Sequence, residues 1–210
     1  MEKWEELLPA QETGRQTDFK HEEIFESPKA AHLAFRKAAE RLLSINNWHI
    51  YAGAGSAKFT LCNNLGEELD GFAAAGLYLN IDLPAPGSDA GAGLEWVTIE
   101  QLITEGSHQT EDEYLLMTIR PVPAPKQTEA EIAHFYNDLS TNTLVVVRNG
   151  LKVYAGAHGR NETPNNEEVD LHDKIRNTVI ALIARVGLSG PQWKKLVKGL
   201  ITYETDGKEA

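Results

Sequence analysis

"TLVVVRNGLKVYAG", residues 143–156, decides how the rest of the chain must be read. Two β-branched runs flank Asn149-Gly150, and both residues of that dipeptide tolerate positive φ, so the stretch predicts two strands joined by a type I′ hairpin turn. A hairpin commits its sheet to antiparallel pairing. The same texture recurs upstream in "WHIY" (48–51), "KFTLC" (58–62), "GLYLNIDL" (76–83), "LEWVTI" (94–99) and "YLLMTIRPV" (114–122). Each is a short run of β-branched or aromatic residues bounded by Gly, Asn, Asp or Pro, which reads as a strand. In "GLYLNIDL", Leu77, Leu79, Ile81 and Leu83 fall on one face and Tyr78, Asn80 and Asp82 on the other. That alternation predicts one packed and one wetter side. "EQLITEG" (100–106) reads either as a short helix or as a continuation of the preceding strand.

Around this block the period changes from two to between three and four. Ser27 and Pro28 open a helix, the serine as a cap and the proline where its missing N–H costs nothing. In "KAAHLAFRKAAERLLS" (29–44) and just beyond it, Ala31, Phe35, Ala38, Leu42 and Ile45 form one apolar face. "QTEAEIAHFYNDL" (127–139) starts with a capping box, Thr128 to Glu131. "DLHDKIRNTVIALIARVG" (170–187) carries Ile175, Val179, Leu182, Ile183 and Val186 on one stripe and ends at a glycine. "GPQWKKLVKGLI" (190–201) predicts a last helix. The fold class that follows is α+β: a largely antiparallel sheet with helices packed on one face and a long amphipathic helix near the C-terminus. Helix-grip folds share that arrangement. Without regular βα alternation, a doubly wound parallel sheet is disfavoured. Residues 1–23 read as a loosely ordered leader with Trp4, Leu7 and Leu8 docking on the body, 24–203 as a single domain and 204–210 as a polar tail. "HIYAGAGS" (49–56) and "KVYAGAHG" (152–159) echo each other, and the bend chemistry of Gly and Ala explains the echo better than duplication.

Composition narrows the function classes. A formal net charge of −11 over 210 residues disfavours nucleic acid and anionic lipid as partners. The densest basic group, Lys194, Lys195 and Lys198, is one solvated helix face. Cys62 is the single cysteine, which excludes an intrachain disulfide and a cysteine-rich zinc site and suits a small core residue. The charged N-terminus has no signal-peptide pattern, and no apolar run is long enough to span a membrane, so a cytoplasmic protein without a membrane span is expected. A homo-oligomer stays open. No cofactor is expected: "AGAGS" (52–56) and "GSDAGAG" (87–93) complete neither a dinucleotide nor a P-loop fingerprint. Glu131 and His134 have the spacing of one half of a di-iron motif whose other half is missing. His158, Asp170, His172 and Asp173 form the best metal-like group, but capping and helix-dipole roles explain the two aspartates. No Gly-x-Ser-x-Gly elbow accompanies Ser56 and His49.

What remains is a small-molecule site. Trp48, Tyr78 and Trp96 lie in or beside the sheet, where they could line a cavity between the sheet and the helix at 170–187. Arg120, Arg148 or Arg160 would supply charge at its mouth. "AHGRNETPNNEE" (157–168) reads as a loop with His158, Arg160 and Asn161 on the rim, Arg160 facing an anionic group and His158 the first choice of general base. The expected function is non-covalent binding of a small amphiphile. The rivals are an adaptor domain without catalysis and a histidine-dependent acid/base enzyme.

Overall fold

The computed structural model describes residues 3–82, 94–125, 139–162 and 190–203. These build one seven-stranded antiparallel sheet: β1 (Arg15–Ile24), β2 (Lys58–Cys62), β3 (Tyr78–Asp82), β4 (Leu94–Gly106), β5 (Asp112–Pro121), β6 (Thr141–Asn149) and β7 (Lys152–Glu162). Their spatial order is β1-β7-β6-β5-β4-β3-β2. Strands β2 to β7 thus form a meander, and β1 crosses to the far edge to pair with β7. Among the described residues three α-helices accompany the sheet: α1 (Pro28–Leu43), α2 (Trp48–Ala52) and α3 (Gly190–Thr202). The α+β reading holds, with α3 packed on β1 and β7 near the C-terminus. The helices expected at 127–139 and 170–187, with the capping box and the carboxylates and histidines of both proposed metal groups other than His158, lie outside the described residues but for Leu139.

The main core lies on the helix side. Phe59 and Leu61, Leu79 and Ile81, Val97 and Ile99, Leu115 and Met117, Leu144 and Val146, and Val153 and Ala155 project from six successive strands onto Phe35, Leu42, Trp193 and Leu200. Helix α1 forms as expected: the Ser27 hydroxyl accepts a hydrogen bond from the Ala30 amide, and Ala31, Phe35, Ala38 and Leu42 are buried. Cys62 is buried, and its Sγ accepts a hydrogen bond from the Asn80 amide at 3.4 Å.

Several local readings are corrected. "WHIY" is helical, not extended. Trp48 is fully buried, packs edge-on against Phe59 and Trp193 and donates its indole N–H to the Leu42 carbonyl at 3.0 Å. Four residues of β-prone sequence cannot outweigh that packing. "EQLITEG" continues β4 past a register shift between Ile99 and Gln101. The hairpin turn is one residue further on than expected, because Asn149 pairs with Lys152 and leaves Gly150 and Leu151 at the centre. Only Gly150 has positive φ, +56°, which is the type II′ pattern rather than I′. The paired Ala-Gly-Ala stretches also part company, since Gly53 ends α2 at φ +78° while Gly156 lies within β7.

The leader is not loose. Residues 15–24 are the edge strand, and Lys3–Leu7 form a 3-10 turn that buries Trp4 on the sheet's outer face with Tyr114, Leu116, Val145 and Val147. The polar run 157–162 is not a loop either: it completes β7, and 163–168 lie outside the described residues. No described helix is long and apolar enough to cross a membrane.

Candidate functional site

Strand alternation brings the site together. Ala155 and Ala157 face the helices, so Tyr154, Gly156, His158 and Arg160 share the outer face of β7. The β1 register sets Glu22 beside Tyr154, Lys20 beside Gly156 and Asp18 beside His158. The N-terminal turn forms the opposite wall. Between them runs an open groove of about 550 Å³, with Trp4, Leu8 and Val147 on its apolar side and Lys20, Lys152 and His158 among Glu5, Asp18 and Glu22 on its polar side. Volumes of ~300–1,000 Å³ are typical of small-molecule sites.

A hydrogen-bonded chain runs along its floor. Asp18 Oδ1 lies 2.7 Å from His158 Nδ1, and Tyr154 Oη lies 3.1 Å from His158 Nε2. The carboxylate only accepts, so Nδ1 carries the proton and donates to Asp18. Nε2 is then the acceptor, and the Tyr154 phenol donates to it. Arg160 fixes the outer end: its Nη1 donates to Asp18 Oδ1 at 2.9 Å and to the carbonyls of Gly159 and Thr17 at 2.8 and 3.2 Å. The Trp4 ring covers the chain, its centroid 5.5 Å from those of both Tyr154 and His158.

Gly156 makes the Tyr154–His158 bond possible. Those residues are four apart on one face of a strand, and whatever stands between them must be small. A Cβ at 156 would come within 2.5 Å of Tyr154 Oη and 2.6 Å of His158 Nε2.

Burial lowers the His158 pKa below 6.5, with the Arg160 charge acting the same way, and the hydrogen bond and charge of Asp18 offset only part of this. The imidazole is therefore neutral at pH 7. Burial pushes the Asp18 carboxyl up, but hydrogen bonds from Gln16, His158 and Arg160 outweigh it and bring the group below 3.8. At Glu162 burial wins over Thr17, Arg15 and Arg160, and the carboxyl rises above 4.5. The signs separate these groups. As the pH falls from 6.5 toward the lower folded value of His158, the unfolded chain takes up a proton that the folded chain refuses, so stability is lost in that window. Asp18 adds a further loss only below 3.8. Glu162 acts in reverse, its contribution present below 4.5 and lost as the pH rises through its folded value. Urea midpoints measured between about pH 7 and about pH 5 should fall, and His158→Asn should flatten that slope. An unchanged slope in the variant would assign it to other groups.

The remaining predicted residues are scattered. Trp48 is in the helix-side core. Tyr78 and Trp96 pack with Cys62 and Ala124 on the outer face, at the other end of the sheet from the groove. Arg120 pairs with Glu100 at 3.0 Å. Arg148 is buried against Glu113 and donates to the Thr110 carbonyl at 2.6 Å. Asn161, at φ +54°, is a clamp on the N-terminal segment: its Oδ1 accepts from the Glu12 and Thr13 amides at 2.8 and 3.1 Å, and its Nδ2 donates to the Ala10 carbonyl at 3.0 Å. Only His158 and Arg160 of the predicted set meet in the groove. Ser56 donates to the His49 and Gly53 carbonyls at 3.2 and 2.9 Å, which commits it to a turn. Sequence reasoning missed Asp18, Lys20, Tyr154 and Trp4. The one available signal was the period-two set Tyr154, Gly156, His158, Arg160, which a strand would have placed on one face.

No protein-family model and no curated protein matches the chain. Among solved structures, a protein from Nitrosospira multiformis is 11% identical over 90% of this chain and 97% of its own, with a TM-score of 0.40. Norcoclaurine synthase from Thalictrum flavum, in complex with dopamine and hydroxybenzaldehyde, is 9% identical over 94% of this chain and 99% of its own, with a TM-score of 0.41. Major latex-like protein 151 from Panax ginseng is 11% identical over 80% and 92%, with a TM-score of 0.31. Likeness at this level carries no argument about function.

Proposed function

We propose that this protein binds a small amphiphilic molecule non-covalently in the outer-face groove. The observation that carries the reading is the groove itself: about 550 Å³, apolar on the side of Trp4, Leu8 and Val147, with Lys20, Lys152 and Arg160 set among Glu5, Asp18 and Glu22 on its polar side. This moves the ligand from the place expected from sequence. The helix expected at 170–187 lies outside the described residues, and the cavity near Trp48, Phe59 and Trp193, between the sheet and α3, holds only about 10 Å³. That is room for about one water molecule.

Of the cations in the lining, Lys20 is the one placed to meet an acidic head group. Arg160 is held by Asp18, and Lys152 is 3.9 Å from Glu22, whereas Lys20 has no ion-pair partner among the described residues. The test uses 8-anilinonaphthalene-1-sulfonate, an aromatic probe with an anionic group. The folded protein should bind it, and Lys20→Glu should weaken binding by roughly 10-fold, the worth of one modest charge contact. Lys20 is solvent-exposed, so the substitution leaves the fold intact. Equal affinity in both proteins, measured by fluorescence titration, would place the probe elsewhere and sink the reading.

A further inference from the structure

The groove holds more polar structure than binding requires. An aspartate, a histidine and a tyrosine are linked in series on a sheet face that Trp4, Val145 and Val147 otherwise make apolar. Asp18 is 40% exposed, but His158 is buried, and burying it costs desolvation that an apolar surface would avoid. The ionic group of Arg148 with Glu113 and His32 differs in kind. Its carboxylate is bound by both bases, and its guanidinium closes loops through the Ser107, Thr110 and Gly150 carbonyls. That group has no side chain poised to react. The groove chain instead sets a phenol in the wall of an open space.

We propose that Tyr154 is the nucleophile of an acyl-transfer site acting on small carboxylic esters, with His158 as its general base and Asp18 as the positioning residue. The arrangement meets the general criterion for an activated nucleophile: a base within hydrogen-bond reach, oriented in turn by a third group. Tyr154 Oη attacks the ester carbonyl carbon as its proton passes to His158 Nε2. The tetrahedral oxyanion forms in the groove, where Lys20, level with Gly156 in the β-sheet register, supplies positive charge. Collapse breaks the carbon–oxygen bond to the alcohol, which leaves with the proton from Nε2. Water, deprotonated by the same nitrogen, then releases the carboxylic acid and restores the phenol. Gly156 keeps the attacking oxygen and the base in contact. The inference rests on the groove being a ligand site, since the ester must enter there.

The test uses p-nitrophenyl acetate on the full chain. The expected result is release of p-nitrophenolate with one acetyl group recovered on Tyr154 by peptide mass spectrometry. Tyr154→Phe, nearly isosteric, should abolish the label, and His158→Asn should slow acylation on the order of 10²-fold. Acylation needs a neutral imidazole, so its pH profile should be half-maximal below 6.5. A merely structural histidine would not set that midpoint. If His158→Asn fails to fold, Asp18→Asn decides the point by slowing acylation and shifting the same midpoint. Acetyl found only on lysines, a rate equal in the wild type and the His158 or Asp18 variant, or a midpoint near the ordinary tyrosine value of about 10 would overturn the proposal. If the anilinonaphthalene probe still binds Tyr154→Phe and wild type alike when labelling fails, the acyl-transfer inference falls and the binding groove stands. Loss of probe binding to the wild type itself would remove both.

Discussion

Arg148→Met is expected to cost about 3–5 kcal/mol, a large fraction of the ~5–15 kcal/mol that holds a domain of this kind together. The side chains of Arg148 and Glu113 are only 3% and 4% exposed, so removing the guanidinium leaves a carboxylate in the protein interior with His32 as its remaining partner. Three backbone carbonyls lose a donor at once: Thr110 at 2.6 Å, Ser107 at 3.3 Å and Gly150 at 3.4 Å. Those carbonyls belong to the β4–β5 connection and the β6–β7 turn, so the change also unties two neighbouring hairpins. The double variant Arg148→Met/Glu113→Leu should recover most of the loss, because a buried ion pair replaced whole by apolar groups is often close to neutral. Urea denaturation of the four proteins in the cycle gives the coupling directly. A single-variant loss below about 1 kcal/mol would mean that water reaches Glu113 and that the pair is not buried in solution.

That pair also shows what sequence can and cannot express. Arg148 stood out as a charge in a strand and suggested a ligand contact. Its actual role depends on Glu113, its register partner on β5, which nothing local to Arg148 identifies. The helix at 28–43 was legible because its determinants are local: a cap, a proline and an apolar stripe. The strands from 58 to 121 were legible through alternation.

Strand β1 was not legible. In "RQTDFKHEEI" the inward positions are Thr17, Phe19, His21 and Glu23, so only one of the four is apolar, as befits a charged edge strand that resists pairing with other chains. The candidate site inherits that gap. Asp18 and His158 meet across 140 residues of sequence, only because β1 pairs with β7. The same limit misplaced the aromatics. Composition put Trp48, Tyr78 and Trp96 near the sheet, but the face and end of the sheet are set by register, and none of the three lines the groove. Trp4 does, from a leader whose docking on the body was expected but whose place on the sheet was not.

Gly199→Ala is expected to destabilise the protein by about 3 kcal/mol, against the helix-propensity trend. In the interior of an exposed helix the same change would stabilise by roughly 1 kcal/mol, since alanine loses less backbone entropy. Here the added Cβ would lie 2.0 Å from the Tyr51 carbonyl oxygen and 2.7 Å from its carbon. Both atoms are backbone at the end of α2, so no side-chain rotation relieves the clash, and α2 and α3 must move apart. Separation would pull Trp193 from Trp48, whose rings meet at 6.4 Å, and strain the cap of α3. In that cap Arg41 donates to the Leu200 and Ile201 carbonyls at 2.8 and 3.3 Å and to that of Tyr203, with its guanidinium 5.9 and 5.6 Å from the centroids of the Tyr51 and Tyr203 rings. Lys198→Ala, one residue earlier at an exposed position, supplies the contrast and should change stability by about 0.5 kcal/mol or less. If Gly199→Ala instead matched or exceeded the wild-type urea midpoint, the close approach of α2 to α3 would be refuted. Because α3 also packs on β1 and β7, the strands that carry the groove, a loosened α3 should lower groove binding of the anilinonaphthalene probe as well. A destabilised variant with unchanged probe affinity would show instead that the two faces of the sheet are energetically separate.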